Sequence, residues 1–233
     1  MDNIALNIQR IQERIAQAAD RCGRSPDEIT LLAVSKTFGA ARIRECYAAG
    51  QRAFGENYVQ EALEKIAALA ATPETDEIEW HMIGPIQSNK TRPIAEHFHW
   101  VHSIERDKIA QRLNDARPAR LPPLNICIQV NVSGEASKSG IAPGTEVGLA
   151  DSIASMPRLR LRGLMAIPEP TPDASLRRQR FARLREMQKN LIARGHALDT
   201  LSMGMSDDLE DAIAEGATMV RVGTAIFGTR DTR

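Results

Sequence analysis

Lys36 closes the apolar run Thr30-Leu31-Leu32-Ala33-Val34-Ser35. A lysine at the rim of a low-dielectric interior has its charged form disfavoured. The neutral amine is a nucleophile and condenses with aldehydes to a Schiff base. Taken alone, a strand-end lysine does no more than snorkel to water. Two later stretches shift that balance, because both suit a phosphate. The first is Ser202-Met203-Gly204-Met205-Ser206-Asp207-Asp208, running into a helical pattern. Ser206 is placed to N-cap that helix, with backbone N–H groups beside it at the positive helix end. The second is Arg221-Val222-Gly223-Thr224. Gly223 lets an anion approach the backbone, and Thr224 adds a hydroxyl. Each stretch alone reads as an ordinary turn. Together they favour a phosphorylated ligand.

Arg221 lies between Val220 and Val222. Strand alternation turns the valines toward the helices and Arg221 into the interior. A buried guanidinium needs an acceptor. Either a carboxylate such as Glu56 pairs with it, or a ligand nitrogen or oxygen does.

These residues need a frame. Ile4, Ile8, Ile11 and Ile15 recur at helical spacing behind Asp2 or Asn3 as N-cap, and Gly23 ends that helix. Strand patterns follow at 30–36, 52–56, 78–84, 100–104, 124–132, 159–167, 198–202 and 219–223, with helical patterns between them. The alternation predicts an α/β fold: a single (β/α)8 TIM-type barrel with an extra N-terminal helix, one domain over residues 1–233. A doubly wound open sheet is the alternative, but its Gly-rich nucleotide fingerprint after the first strand is absent. In a barrel, the loops after strands seven and eight are the usual phosphate loops. They are the two stretches above.

Composition narrows the function classes. Lys+Arg and Asp+Glu are both 30, so the formal net charge is zero. That argues against a nucleic-acid or membrane-surface binder driven by bulk charge. A hydrophobic content of 42% is ample for a core. Cys22, Cys46 and Cys127 are odd in number and widely spaced, so they read as free thiols of a reducing compartment. No apolar run reaches membrane length, and Met1-Asp2-Asn3-Ile4 does not open a leader. The expectation is a cytoplasmic protein without nucleic-acid or membrane partners.

Other candidate sites are weaker. Gly84 to Thr91 resembles a P-loop, but Asn89 stands where its second glycine belongs, so nucleotide binding is rejected. His97, His99 and His102 have no carboxylate or cysteine completing a ligand set; they read as surface or capping histidines, and no metal is expected. Arg177, Arg178, Arg180, Arg183 and Arg185 read as a solvated helix face. Lys138, in a Gly/Ser loop, reads as solvated.

The ordered motifs Ala33-Val34-Ser35-Lys36-Thr37, Phe54-Gly55-Glu56-Asn57-Tyr58, His81 to Lys90, Ser137-Lys138-Ser139-Gly140, Gly163 to Pro168, Ser202 to Ser206 and Arg221 to Thr224 span nearly the whole chain. Together they resemble the pyridoxal 5'-phosphate homeostasis proteins, a family related to the barrel domain of alanine racemase. The resemblance implies pyridoxal 5'-phosphate as cofactor, held as a Schiff base on Lys36. It implies that Ser206, Gly223 and Thr224 hold the phosphate with Ser202 close by, that Arg221 faces the pyridine nitrogen, and that Asn57 lines the pocket. It implies a monomeric, non-catalytic carrier or buffer whose partners are apo-enzymes that need the cofactor. Phe38 departs from the pattern: members often carry a second lysine there, so transfer between neighbouring lysines is not expected.

Two rivals share these residues. An amino-acid racemase needs an acid/base on each face of the cofactor. Neither Tyr47 nor Tyr58, the only tyrosines, is placed as the base opposing Lys36, and no residues remain for a second domain. A Schiff-base aldolase acting on a sugar phosphate would use Lys36 and the same loops.

Overall fold

Strand β1 (Thr30–Val34) pairs with both β2 (Ala53–Glu56) and β8 (Met219–Val222), and that second pairing closes the sheet. The remaining strands β3 (Glu79–Met82), β4 (Trp100–Ile104), β5 (Leu124–Gln129), β6 (Leu159–Met165) and β7 (Thr200–Ser202) follow in sequence order. The result is a closed, eight-stranded parallel barrel. The computed structural model describes residues 3–70, 75, 77–135 and 139–228. Asp2, Ser137 and Lys138, considered above, lie outside them.

Helices alternate with the strands: α2 (Ala40–Ala48), α3 (Val59–Ala70), α4 (Thr91–His97), α5 (Asp107–Ala116), α6 (Glu146–Ala154), α7 (Ala174–Ala193) and α8 (Leu209–Ala214). An additional helix, α1 (Ile4–Arg21), precedes the barrel, and a single turn of helix, α9 (Thr224–Phe227), follows β8. Ile4, Ile8, Ile11 and Ile15 are the buried stripe of α1, and Asn3 caps it by accepting from the Leu6 N–H. The outward faces of the strands, Val220 and Val222 among them, join the helices in one large core. Leu32, Ala53, Ile83 and Met219 fill one side of the barrel interior.

Several strands end short of their apolar runs: β1 stops at Val34, β5 at Gln129 and β6 at Met165. The first residue beyond each end still donates to the neighbouring strand, Ser35 to the Gly55 carbonyl, Val130 to Met165 and Ala166 to Ser202, and the chain then turns away to build the mouth. The arginine run on α7 is only in part the solvated face expected: Arg178 and Arg183 are exposed, while Arg177, Arg180 and Arg185 are half-buried. Arg177 pairs with Asp211, Arg178 and Arg185 with Glu215, and Arg180 with Glu169. The run spends its charge on carboxylates of α8, of Glu215 just after it, and of the loop after β6. No helix among the described residues is long and apolar enough to cross a membrane.

Candidate ligand site at the barrel mouth

Where the strands end, a cavity of about 520 Å³ opens, a size suited to a small molecule. Lys36, Asn57, Ser206, Arg221, Gly223 and Thr224 all line it, and so does Phe38. Lys36 sits in a tight turn just past β1. The next residue, Thr37, has φ 70°, in the left-handed region that a β-branched residue rarely enters. Its N–H donates to Glu61 Oε1 at 2.5 Å. Lys65, on the same helix as Glu61, donates to the Ser35 carbonyl at 2.8 Å and to Glu56 Oε1 at 2.7 Å. Ser35 Oγ also donates to Glu56, at 2.6 Å. Two side chains of α3 thus fix the backbone on both sides of Lys36.

Glu56 is fully buried, and burial pushes its carboxyl above the usual range against the pull of Lys65. It is not the partner of Arg221, as one expectation allowed; its Oε1 is taken by Lys65 and Ser35. Arg221 does point into the barrel. Its Nη1 donates to Ser202 Oγ at 2.7 Å and its Nη2 to the Ala166 carbonyl at 2.8 Å. Burial pulls the guanidinium down to about 10, with Asp208 opposing, so it stays charged at neutral pH.

The two turns carry donors. Thr224 and Ala225 open α9, where backbone N–H groups have no intrahelical acceptor. The N–H groups of Ser206 and Asp207 likewise have no acceptor among the described residues. A Cβ on Gly223 would come within 3.2 Å of the Val34 carbonyl, so a side chain there would crowd the floor of the turn. Ser206 is not the helix cap expected. The N-cap of α8 is Asp208, whose Oδ1 accepts instead from the Met205 N–H at 2.6 Å. That bond folds the turn back and leaves Ser206 facing the cavity. From outside, Arg14 of α1 donates to the Ser206 carbonyl at 2.9 Å and pairs with Glu210.

Asn57 is held by a close approach. A Cβ on Gly84 would lie 2.3 Å from the Asn57 carbonyl oxygen, so only glycine fits there. The failed P-loop thus has a packing reason for its first glycine.

Ser202 lies one layer below the cavity. It is fully buried, accepts from Arg221 and meets His102 Nδ1 at 2.9 Å. His102 is not a surface or capping histidine. Alternation along β4 turns it inward with Trp100, and it is fully buried against His81. His99 does cap, accepting from the Trp80 N–H, and His97 is exposed. Among the described residues, no cluster of His, Cys, Asp or Glu could hold a metal. Tyr47 lies near Glu77 and Arg52, before the start of β2. Tyr58 is exposed, and neither tyrosine lines the cavity.

Sequence reasoning missed the Glu56–Lys65–Glu61 network and the apolar walls Phe38, Ile83 and Ile167. A signal for the first existed. Lys65 falls in the apolar stripe of α3, between Ala62 and Leu69, where a solvated lysine would not sit.

The fold and the cavity define a (β/α)8 barrel with its ligand site at the C-terminal ends of the strands. The family model described as alanine racemase, N-terminal domain, matches residues 6–231. The chain is 62% identical over 231 residues to the pyridoxal phosphate homeostasis protein of Pseudomonas aeruginosa, covering 99% of this chain and 97% of that one. It is 57% identical over 234 residues to the protein of the same name from Escherichia coli K12, covering 99% and 98%. The chain belongs to the pyridoxal phosphate homeostasis protein family. Among solved structures, PipY of Synechococcus elongatus with pyridoxal phosphate (PLP) bound is 38% identical, with a TM-score of 0.79 over 92% of this chain and all of that one. Alanine racemase from Corynebacterium glutamicum, at 17% identity and TM-score 0.69, shares the fold over 62% of its length.

Proposed function

We propose that this chain binds pyridoxal 5'-phosphate at the barrel mouth and serves its homeostasis as a carrier or buffer, without appreciable turnover. The observation that carries the reading is the convergence of Lys36, Arg221 and two turns of phosphate-binding type on one cavity. The donor set fits the cofactor: an amine, a permanent cation, two hydroxyls and unpaired backbone N–H groups. The names of the relatives and the ligand of PipY support the same reading. When bound, the cofactor supplies an aldehyde for an amine and an electron-withdrawing pyridine ring.

The chain's residues divide the work. Lys36 offers the amine. Ser206, Gly223 and Thr224 hold the phosphate through hydroxyls and backbone N–H groups. Asn57 and Phe38 bound the ring. Arg221 can only donate, so it favours an unprotonated ring nitrogen and weakens the electron sink while fixing the ring. Racemisation also needs a base opposite Lys36, and neither tyrosine lines the cavity. The reading includes residues 1–233 acting as one domain, a monomeric state, a cytoplasmic setting and release of the cofactor to apo-enzymes that require it.

The test is to titrate the purified protein with pyridoxal phosphate by absorption, then incubate the loaded protein with single-enantiomer alanine and resolve the products on a chiral column. We expect saturable binding and no turnover approaching about 1 per second, a rate usual for enzymes. Absence of binding removes the reading. Turnover at that rate, lost in Lys36→Ala, replaces it with the racemase.

The same titration measures the phosphate turns. Ser206→Ala removes a hydroxyl contact to a charged group but no helix cap, and should raise Kd about 10- to 100-fold. Thr224→Ala should weaken binding less, because the N–H donors of its turn remain. Wild-type affinity in both variants would take the phosphate out of these turns.

A further inference from the structure

We infer that Ser202, His102 and His81 are positioning residues for Arg221, forming one directed hydrogen-bond chain down the barrel interior that fixes how the guanidinium is presented to the cavity. Its consequence for a ligand rests on the cofactor reading above; its geometry does not.

The links are short. Arg221 Nη1 to Ser202 Oγ is 2.7 Å, Ser202 Oγ to His102 Nδ1 is 2.9 Å, and His102 Nε2 to His81 Nδ1 is 3.0 Å. At the far end, His81 Nε2 lies 3.7 Å from Glu79 Oε2. Ser202, His102 and His81 are all fully buried, whereas Glu79 is exposed at the opposite face. Trp100 stacks on His81 with ring centroids 5.4 Å apart, and Arg162 lies over Trp100 at 4.7 Å, which fixes the ring planes.

Counting protons sets the direction. A guanidinium has donors only. Ser202 therefore accepts from Arg221, and its own proton goes to His102 Nδ1. His102 then carries its proton on Nε2 and donates to His81 Nδ1. His81 carries its proton on Nε2, which faces the Glu79 carboxylate as an ionic contact, beyond hydrogen-bond reach. The reverse order leaves the Ser202 proton without an acceptor among the described residues and turns a bare His81 lone pair toward a carboxylate. His81 Nε2 lacks a hydrogen-bond partner in either order, so the buried Ser202 hydroxyl and the repulsion at Glu79 decide between them, because unpaired polar groups cost most when buried. Burial lowers the pKa of both imidazoles; the Arg221 charge adds to this on His102, and Glu79 opposes it on His81.

The chain has a function at its upper end. With Nη1 tied to Ser202 and Nη2 to the Ala166 carbonyl, the guanidinium has one orientation, and its remaining side lines the cavity. Removing His102 strands the Ser202 proton, and the hydroxyl can satisfy it only by turning away from its present geometry with Arg221. A residue with no place in the cavity wall would then alter ligand binding.

Two measurements test this. Long-range 1H–15N spectra of the ligand-stripped, 15N-labelled protein at pH 7 should show both His102 and His81 neutral with the proton on Nε2. A proton on Nδ1 of either ring, or an imidazolium, overturns the chain. Separately, His102→Leu should weaken pyridoxal phosphate binding about tenfold and shift its absorption maximum, while His102→Asn, which places an acceptor near the Nδ1 position, should stay within about twofold of wild type. Wild-type binding and spectrum in a folded His102→Leu overturn the positioning role. Should that variant not fold, Ser202→Ala against Ser202→Thr makes the same comparison, with the loss expected only in the first and equal binding overturning the role. Failure of the cofactor reading looks different: wild type itself would not bind, and the histidine spectra would still decide the chain.

Discussion

Lys36→Ala is expected to leave the barrel folded and to abolish covalent attachment of pyridoxal phosphate. Lys36 lies in the turn past β1, half-buried, while the register of β1 is held by pairs such as Leu32 with Arg221 and Ala33 with Phe54. Cutting the side chain back leaves those ladders alone, so the stability change should stay within about 1 kcal/mol. The attachment has no substitute on the cavity wall, because Lys36 is the only lysine lining it among the described residues. Borohydride reduction followed by peptide mass mapping should find the cofactor on the Lys36 peptide of wild type and on no peptide of the variant. Weak noncovalent binding should persist through the phosphate turns. Cofactor fixed mainly on Lys90 or Lys138 in wild type would count against this assignment.

A larger loss of stability is expected from Lys65→Met. Lys65 is 5% exposed and Glu56 is not exposed at all, so the substitution leaves a carboxylate buried without its cation. Breaking a buried pair from one side costs about 3–5 kcal/mol. The effect has a definite pH dependence. Burial already raises Glu56 above 4.5, and Lys65 is its strongest opposing influence. Without Lys65, the folded-state pKa rises further. A carboxyl raised in the folded state contributes stability below its unfolded pKa and loses it as pH rises through the folded pKa. The deficit should therefore be largest at pH 7 and shrink toward pH 5. Urea unfolding at both values measures it, and Lys65→Met combined with Glu56→Gln should recover much of the loss. A deficit under 1 kcal/mol, or one unchanged with pH, would mean that water reaches this pair. Because Lys65 and Glu61 also fix Ser35 and Thr37, Lys65→Met should weaken cofactor binding as well.

The barrel was legible because its signals are local. Each strand is a short apolar run and each helix a periodic one, and eight alternations leave few folds to choose from. Six of the residues predicted for the site line one cavity because the C-terminal ends of barrel strands converge by construction. What the chain did not reveal depends on pairs distant in sequence. Ser206 looked like a cap because it precedes a helical pattern, yet Asp208 competes for the turn and accepts from Met205 instead. His102 looked peripheral because two other histidines stand near it, and only strand alternation, applied to Trp100 and His102 together, turns it inward. The arginines of α7 looked solvated because their carboxylates lie in other segments, beyond the reach of helical spacing.

The contacts of α1 have a consequence for the order in which the molecule can be made. The two turns proposed for the phosphate follow β7 and β8, yet Arg14 of α1 donates to the Ser206 carbonyl and Asn7 to the Ile226 carbonyl at 2.9 Å. β8 in turn is zipped to β1. A nascent chain that has reached only β6 has the lysine, Asn57 and most of the strands, but neither of these turns and not the Arg221 guanidinium. Domains generally fold as units during synthesis, and here α1, made first, braces both turns only after β7 and β8 have been made. On the proposed site, retention of the cofactor therefore needs β7 and β8: a chain stalled before them would expose the Lys36 amine without the grip proposed to keep an aldehyde there.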